Sequence, residues 1–215
     1  MIPSNSLVFL VDDDASVRKG VSRLLRSAGY RSEVFESASD FLARDQHTGP
    51  ACLIVDVRMP GLNGIELQKT LIQRRREEQI IFITGHGDVP MCAQAMKAGA
   101  VDFLPKPFRA DGLLQCVERA LARSVDERSR TAEKNKARQL LDLLTPREFE
   151  VMQLVIMGML NKQIAAELHT AEKTIKVHRG RVMQKLRVTS VPDLVRVSQR
   201  AGVSPAHNPH KTKIN

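Results

Sequence analysis

At 215 residues, 42% hydrophobic and 27% charged, the sequence has an ordinary globular composition and room for one large or two ordinary domains. No apolar run approaches the roughly 20 residues a membrane-spanning helix needs. Cys52, Cys92 and Cys116 are scattered without Cys-x-x-Cys spacing, which excludes a disulfide frame or a thiolate zinc site. The net charge of +9 is unevenly placed: residues 1–122 hold 15 basic and 15 acidic residues, and residues 123–215 hold 18 and 9. A neutral half joined to a basic half predicts two domains, the second facing a polyanion. Met1-Ile-Pro-Ser-Asn-Ser6 lacks a basic n-region and a cleavage signature, so a cytoplasmic protein is expected.

Leu7-Val-Phe-Leu-Val11 predicts a buried strand that runs into Asp12-Asp-Asp14. Adjacent carboxylates repel, so they need a cation, a helix N-terminus or open water. Asp14 suits the N-cap of a helix over about 15–28, striped by Val17, Val21, Leu24 and Leu25 and stopped at Gly29. A weaker strand over 31–35, a short helix over 37–44 and a loop to Pro50 follow. Leu53-Ile-Val-Asp56 predicts a strand buried on both faces, with Pro60, Gly61 and Gly64 breaking the chain soon after. Asp56 at its carboxyl end suits a metal ligand, a nucleophile or a cap for the next helix. That helix starts at Asn63 or Gly64 and ends in Arg74-Arg-Arg76, read as a solvated, dipole-complementing terminus. Ile80-Ile-Phe-Ile-Thr84 is a fourth strand, followed by a mobile Gly85-His-Gly87 loop, a helix over 89–98 and a fifth strand over 101–104. Pro105-Lys-Pro107 restricts the backbone around Lys106, and a helix over about 111–122 closes the half.

Strands alternating with helices predict a five-stranded doubly wound parallel sheet, an α/β fold. In such a sheet the carboxyl ends of the strands share one edge, where ligands bind. Asp12, Asp13, Asp56, Thr84 and Lys106 all fall there. The carboxylates suit a hard divalent cation, Mg²⁺, and one of them can attack a phosphoryl group whose oxygens the amine and hydroxyl orient.

These residues, with Val11-Asp-Asp-Asp14, Asp56-Val-Arg-Met-Pro-Gly61, Phe82-Ile-Thr-Gly-His-Gly-Asp-Val-Pro90, Met96-Lys-Ala-Gly-Ala100 and Phe103-Leu-Pro-Lys-Pro-Phe108, resemble a two-component receiver domain across the whole first half. The resemblance implies that Asp56 accepts a phosphoryl group from a phosphohistidine of a sensor histidine kinase. It implies that Asp13, Asp56 and the backbone carbonyl of Arg58 ligate Mg²⁺, with Asp12 acting through water. Lys106, preceding a cis Pro107, would pair with a phosphoryl oxygen, and Thr84 and Phe103 would be the pair that moves on phosphorylation.

Residues 123–138 lose their large apolar side chains except Val125, and read as a helical spacer or a flexible linker. Thr145-Pro-Arg-Glu148 is a helix start with a threonine N-cap, proline at the first position and glutamate at the third. That helix ends at Gly158. Asn161 suits the cap of a short helix to Leu168, His169-Thr-Ala171 makes a turn, and a basic helix runs over about 172–187. Ser190 caps a last helix to about Ala201. Short helix, tight turn and basic helix predict helix-turn-helix. At 100° per residue, Ile175, Val182 and Leu186 face the core, with Lys173, Lys176, Val177, Gly180, Gln184 and Arg187 opposite. Arg181 and Lys185 flank that face and suit phosphate contacts, whereas Arg179 lies nearer the core side. Residues 204–215, with His207 and His210, read as a disordered tail.

Leu144-Thr-Pro-Arg-Glu-Phe-Glu-Val151, Asn161-Lys-Gln-Ile-Ala165, Thr174-Ile-Lys-Val-His-Arg179 and Met183-Gln-Lys-Leu186 resemble a LuxR-type DNA-binding domain, and the two halves together resemble a FixJ-type response regulator. The expected arrangement is a receiver over 1–122, a linker over 123–140 and an all-α four-helix domain over 141–203. The resemblance implies no enzyme acting on a separate substrate. It implies a transcription factor that dimerises on phosphorylation through its receiver, with the last helix also a dimerising face. It would bind promoter DNA through Lys173, Thr174, Lys176, Val177, Gly180, Arg181 and Lys185, and work with RNA polymerase, most often as an activator. Two other readings compete. Asp12-Asp-Asp14-Ala-Ser16 loosely fits a haloacid-dehalogenase phosphatase with Asp12 as nucleophile, although no later acidic pair completes its metal site and the basic half is left unexplained. The domains also suit a transcription factor independent of phosphorylation.

Overall fold

The computed structural model describes residue 3 and residues 5–85 and 89–203. The expected mobility at His86 and Gly87 and the tail reading of 204–215 concern residues outside that range. The chain divides into two compact units, Met1–Arg128 and Ser129–Asn215.

The first unit contains β1 (Leu7–Val11), α1 (Ala15–Ser27), β2 (Ser32–Phe35), α2 (Ala38–Ala43), β3 (Ala51–Asp56), α3 (Gly64–Gln73), β4 (Gln79–Thr84), α4 (Val89–Lys97), β5 (Asp102–Pro105) and the start of α5 (Ala110–Leu141). The strands form one parallel sheet in the order β2-β1-β3-β4-β5. Strand alternation sorts its side chains into two cores. Phe9, Val11, Leu53, Val55 and Phe82 join one with Leu67 and Leu71 of α3. Val8, Leu10, Ile54, Ile81 and Ile83 join the other with Leu25 of α1 and Leu113, Val117 and Leu121 of α5. Burial on both faces is why these strands are near-continuous apolar runs. The order of connections reverses between β1 and β3, which opens a crevice at their carboxyl ends.

Asp14 caps α1 as expected, and α3 takes its cap from Asn63 rather than from Asp56. Asp14 accepts from the N–H of Ser16 and Val17 at the start of α1, and Asn63 and Glu66 form a reciprocal capping box at the start of α3. Gly64 has a specific reason to be glycine: a Cβ there would meet the Asp56 carbonyl oxygen at 2.4 Å. Arg76 departs from its expected solvated role. Its side chain is buried in an ion pair with Glu78, and its guanidinium carbon stacks 4.6 Å from the centroid of the Phe41 ring. Only the fold brings Phe41 under it, so a basic triplet at a helix end looked solvated in sequence.

α5 continues well past residue 122. At 124, 127 and 128 it carries three polar residues on one side, as spacings of three and four require. The Ser124 hydroxyl accepts the Ala51 N–H (3.1 Å), Gln79 donates to Glu127 (2.7 Å), and Arg128 pairs with Glu77 (2.7 Å). These bonds grip the entry ends of β3 and β4. Residues 129–136 are exposed on every side.

The second unit is all helical. The end of α5, α6 (Pro146–Ile156), α7 (Asn161–Glu167), α8 (Glu172–Lys185) and α9 (Val191–Ala201) enclose a core of Val151, Met152, Val155, Ile164, Ile175, Val182 and Leu194. Thr145 and Glu148 form the expected capping box, and Ser190 caps α9. Asn161 does not cap α7. The N-cap is Leu160, whose N–H donates to Gln163, and the Asn161 side chain instead accepts from Arg179 (3.0 Å).

Candidate functional site

Asp12, Asp13, Asp56 and Lys106, placed at the sheet edge by sequence, come together at the carboxyl ends of the strands. The Lys106 ammonium donates to Asp12 Oδ2 and to Asp56 Oδ2, both at 2.7 Å. Asp12, Asp13 and Asp56 each offer one carboxylate oxygen, and these lie within 4.8 Å of one another. Asp12 is fully buried and Asp56 is 8% exposed, whereas Asp13 is open to solvent. The second oxygen of Asp12 accepts the Asp14 N–H (2.9 Å), and that of Asp56 accepts the Arg58 N–H (3.2 Å). The Lys106–Pro107 peptide is cis.

The electrostatics follow from this packing. Burial pushes the Asp12 carboxyl above its ordinary range, against the lowering effect of its bonds to Lys106 and to the Asp14 N–H. Burial alone would lower Lys106, but its bonds to Asp12 and Asp56 outweigh this and raise it, so the ammonium stays charged. The three neighbouring carboxylates make an all-oxygen donor set, which suits a hard divalent cation such as Mg²⁺. Thr84 is buried at the end of β4, beside the strand carrying Asp56. Phe103 is half-buried on β5, its ring centroid 6.2 Å from that of Phe82.

A phosphatase nucleophile at Asp12 conflicts with this geometry. Asp12 is closed off from solvent, and Asp14, its would-be acid partner, is committed to capping α1.

In the second unit, Ile175, Val182 and Leu186 are buried as their spacing requires. Lys173, Thr174, Lys176, Val177, Gly180, Arg181, Gln184 and Arg187 are exposed. Val177 is 48% exposed, an apolar side chain among cations. Lys185 departs from the expected phosphate-contacting role. Its ammonium turns inward to the buried Glu148 (2.6 Å) and to the Leu143 carbonyl (3.0 Å). Sequence reasoning missed this pairing because the partner stands 37 residues upstream, in a residue already explained as half of a capping box.

Comparison with known proteins covers both units. Residues 8–118 match the response regulator receiver domain, and residues 142–198 match the bacterial regulatory proteins of the luxR family. Nodulation protein W of Bradyrhizobium diazoefficiens is 46% identical over 206 residues, 95% of this chain and 90% of that protein. The transcriptional regulatory protein FixJ of the same organism is 40% identical over 196 residues, 91% of this chain and 96% of that protein. The solved structure of the response regulator StyR is 48% identical, with a TM-score of 0.79 over 91% of this chain and 98% of that one.

Proposed function

The chain belongs to the two-component response regulators of the LuxR/FixJ type, DNA-binding transcription regulators, and from that premise we propose that Asp56 is its phosphoacceptor and that phosphorylation drives dimerisation and promoter binding. The observation that carries this reading is the Lys106 bridge between Asp12 and Asp56, with Asp13 at the same crevice.

In the proposed reaction a carboxylate oxygen of Asp56 attacks the phosphorus of a phosphohistidine on a sensor histidine kinase. The P–N bond breaks, imidazole departs, and a mixed anhydride forms on Asp56. Asp13, Asp56 and the carbonyl of Arg58 would hold Mg²⁺, with Asp12 behind them. The bound cation would supply charge neutralisation to the transferring phosphoryl oxygens. Lys106 would move from bridging two carboxylates to pairing one phosphoryl oxygen, a task suited to a mobile point charge. The new dianion would draw in the Thr84 hydroxyl and let Phe103 rotate inward, altering the face made by α4 and β5.

Receiver pairing and α9 would together form a dimer that engages two half-sites, which raises affinity without strengthening the binding at either one. The exposed face of α8 would enter the major groove, Lys173, Lys176 and Arg181 meeting phosphates or base edges and Val177 offering an apolar surface where Gly180 allows close approach. The dimer would act in the cytoplasm with RNA polymerase, in most cases to activate transcription.

Treating wild type and Asp56→Asn with Mg²⁺ and acetyl phosphate, followed by intact mass and sedimentation, tests the switch. The expected result is a Mg²⁺-dependent gain of one phosphoryl group and a dimer, both absent in the variant. A gain that survives Asp56→Asn moves the acceptor elsewhere. Phosphorylation-independent DNA binding is the better reading if untreated Asp56→Asn binds a selected DNA as tightly as phosphorylated wild type.

The DNA face has its own expected outcome. Each phosphate neutralised by a basic side chain releases about one counterion. Lys176→Ala and Arg181→Ala should therefore each weaken binding and flatten the plot of log affinity against log salt, by roughly one unit per protomer for each phosphate left unneutralised. Lys185→Met should leave that slope unchanged, because its charge is spent on Glu148. A slope change for Lys185→Met equal to that of Lys176→Ala would place Lys185 on the DNA after all.

A further inference from the structure

We propose that Arg18 is a positioning residue for the divalent cation, acting through the peptide that joins Asp12 to Asp13. The proposal rests on the cation reading of the acidic pocket given above.

Arg18 stands one turn into α1, where nothing in the sequence distinguishes it from a solvated arginine. Its guanidinium reaches back over the acidic turn, and Nη1 donates to the Asp12 carbonyl oxygen at 2.6 Å. A buried carbonyl beyond the last residue of β1 needs a donor, and a charged one binds it strongly. A second guanidinium nitrogen lies 3.7 Å from Glu36, which is exposed.

With this bond every polar group of Asp12 is engaged. Its N–H donates to the Phe35 carbonyl (3.3 Å), its two carboxylate oxygens accept from Asp14 N–H and Lys106, and its carbonyl accepts from Arg18. The peptide bond is planar, so the Asp12 carbonyl, the Asp13 nitrogen and the Asp13 Cα move as one body. Fixing that oxygen therefore fixes where the Asp13 nitrogen and Cα sit, and so the point from which its side chain reaches the crevice. Asp13 is exposed and otherwise free to turn its carboxylate to solvent. Arg18 holds Asp13 at the crevice without itself meeting the ion.

The sign of the effect separates this role from simple electrostatics. A cationic side chain beside a cation pocket opposes metal binding, so removing it for charge reasons alone would tighten binding. Loss of positioning weakens it, and outer partners of metal ligands typically contribute about tenfold or more in affinity.

The test uses the full chain with Mn²⁺ as the probe, free ion being read by its electron paramagnetic resonance signal. Arg18→Met should bind Mn²⁺ about tenfold more weakly than wild type. Arg18→Lys, which keeps a charged donor, should recover most of that loss, and Glu36→Gln should change nothing. The Mg²⁺ concentration that half-saturates phosphoryl uptake from acetyl phosphate should rise in the same ratio, with the rate at saturating Mg²⁺ preserved. Arg18→Gln supplies the same comparison if the methionine variant fails to fold. Unchanged or tighter Mn²⁺ binding in the variants overturns the proposal. Failure of wild type itself to bind Mn²⁺ overturns the cation reading beneath it, which is a separate result.

Discussion

Lys106→Met is expected to destabilise the metal-free receiver unit by about 3 kcal/mol, the low end of the cost of breaking a buried ion pair. Two carboxylates lose the ammonium that bridges them at 2.7 Å, and Asp12 has no solvent to replace it. The low end applies because the Lys106 side chain is itself 20% exposed. Urea unfolding followed by tyrosine fluorescence measures this cleanly. Tyr30 is the one tyrosine of a chain without tryptophan, and it packs against the core shared by α1 and α5, so it reports the receiver unit alone. Millimolar Mg²⁺ should stabilise the variant more than it stabilises wild type, since a cation bound by the carboxylates favours the folded state by linkage. An unchanged urea midpoint would mean that the bridge contributes nothing net.

The second large effect lies in the helix-turn-helix unit. Glu148→Ala should cost about 3 kcal/mol, because it removes one half of a capping box and leaves the Lys185 ammonium with the Leu143 carbonyl but no carboxylate. Glu148 Oε2 accepts from both the Thr145 N–H (2.9 Å) and Lys185 (2.6 Å), so one oxygen serves the cap and the ion pair together. Hydrogen exchange of α6 and α8 amides in the full chain measures the loss where it occurs. The pH dependence has a definite sign. The hydrogen bond from Lys185, then that from the Thr145 N–H, hold the Glu148 pKa at about 2 against an ordinary value of 4.5. A depressed carboxylate contributes its full stability above the unfolded value, so protection of α6 and α8 should be flat above about pH 4.5 and fall between about 4.5 and 2. Lys185→Met should abolish most of that acid sensitivity. Equal acid sensitivity in wild type and Lys185→Met would show that other carboxylates control it.

Most of the receiver could be read from the chain because its signals are local. Leu7–Val11, Leu53–Val55 and Ile80–Ile83 are apolar runs too short for anything but buried strands, and each ends in a polar residue. A parallel sheet then brings Asp12, Asp56 and Thr84 to one edge by topology alone. The caps at Asp14, Thr145 and Ser190 are equally legible, since a cap acts within three residues of itself, whereas Asn161, read as the cap of α7, accepts from Arg179 instead. The buried side of α8 followed from helical periodicity.

What sequence leaves unread is whether a polar side chain is satisfied by water or inside the fold. Arg76, Lys185, Arg18 and the Ser124–Glu127–Arg128 grip all look like solvated polar residues on a helix or its end. A polar side chain has the same local signature whether water or a buried carboxylate satisfies it. Local sequence signals therefore carry the two-domain division of charge, the strands and helices, the caps at Asp14, Thr145 and Ser190, and the residues gathered at the sheet edge. Which charges are spent inside the protein and which remain for a ligand is settled only by packing, because burial depends on elements meeting in space whether a partner lies close in sequence, as Glu78 does to Arg76, or far away, as Glu148 does from Lys185.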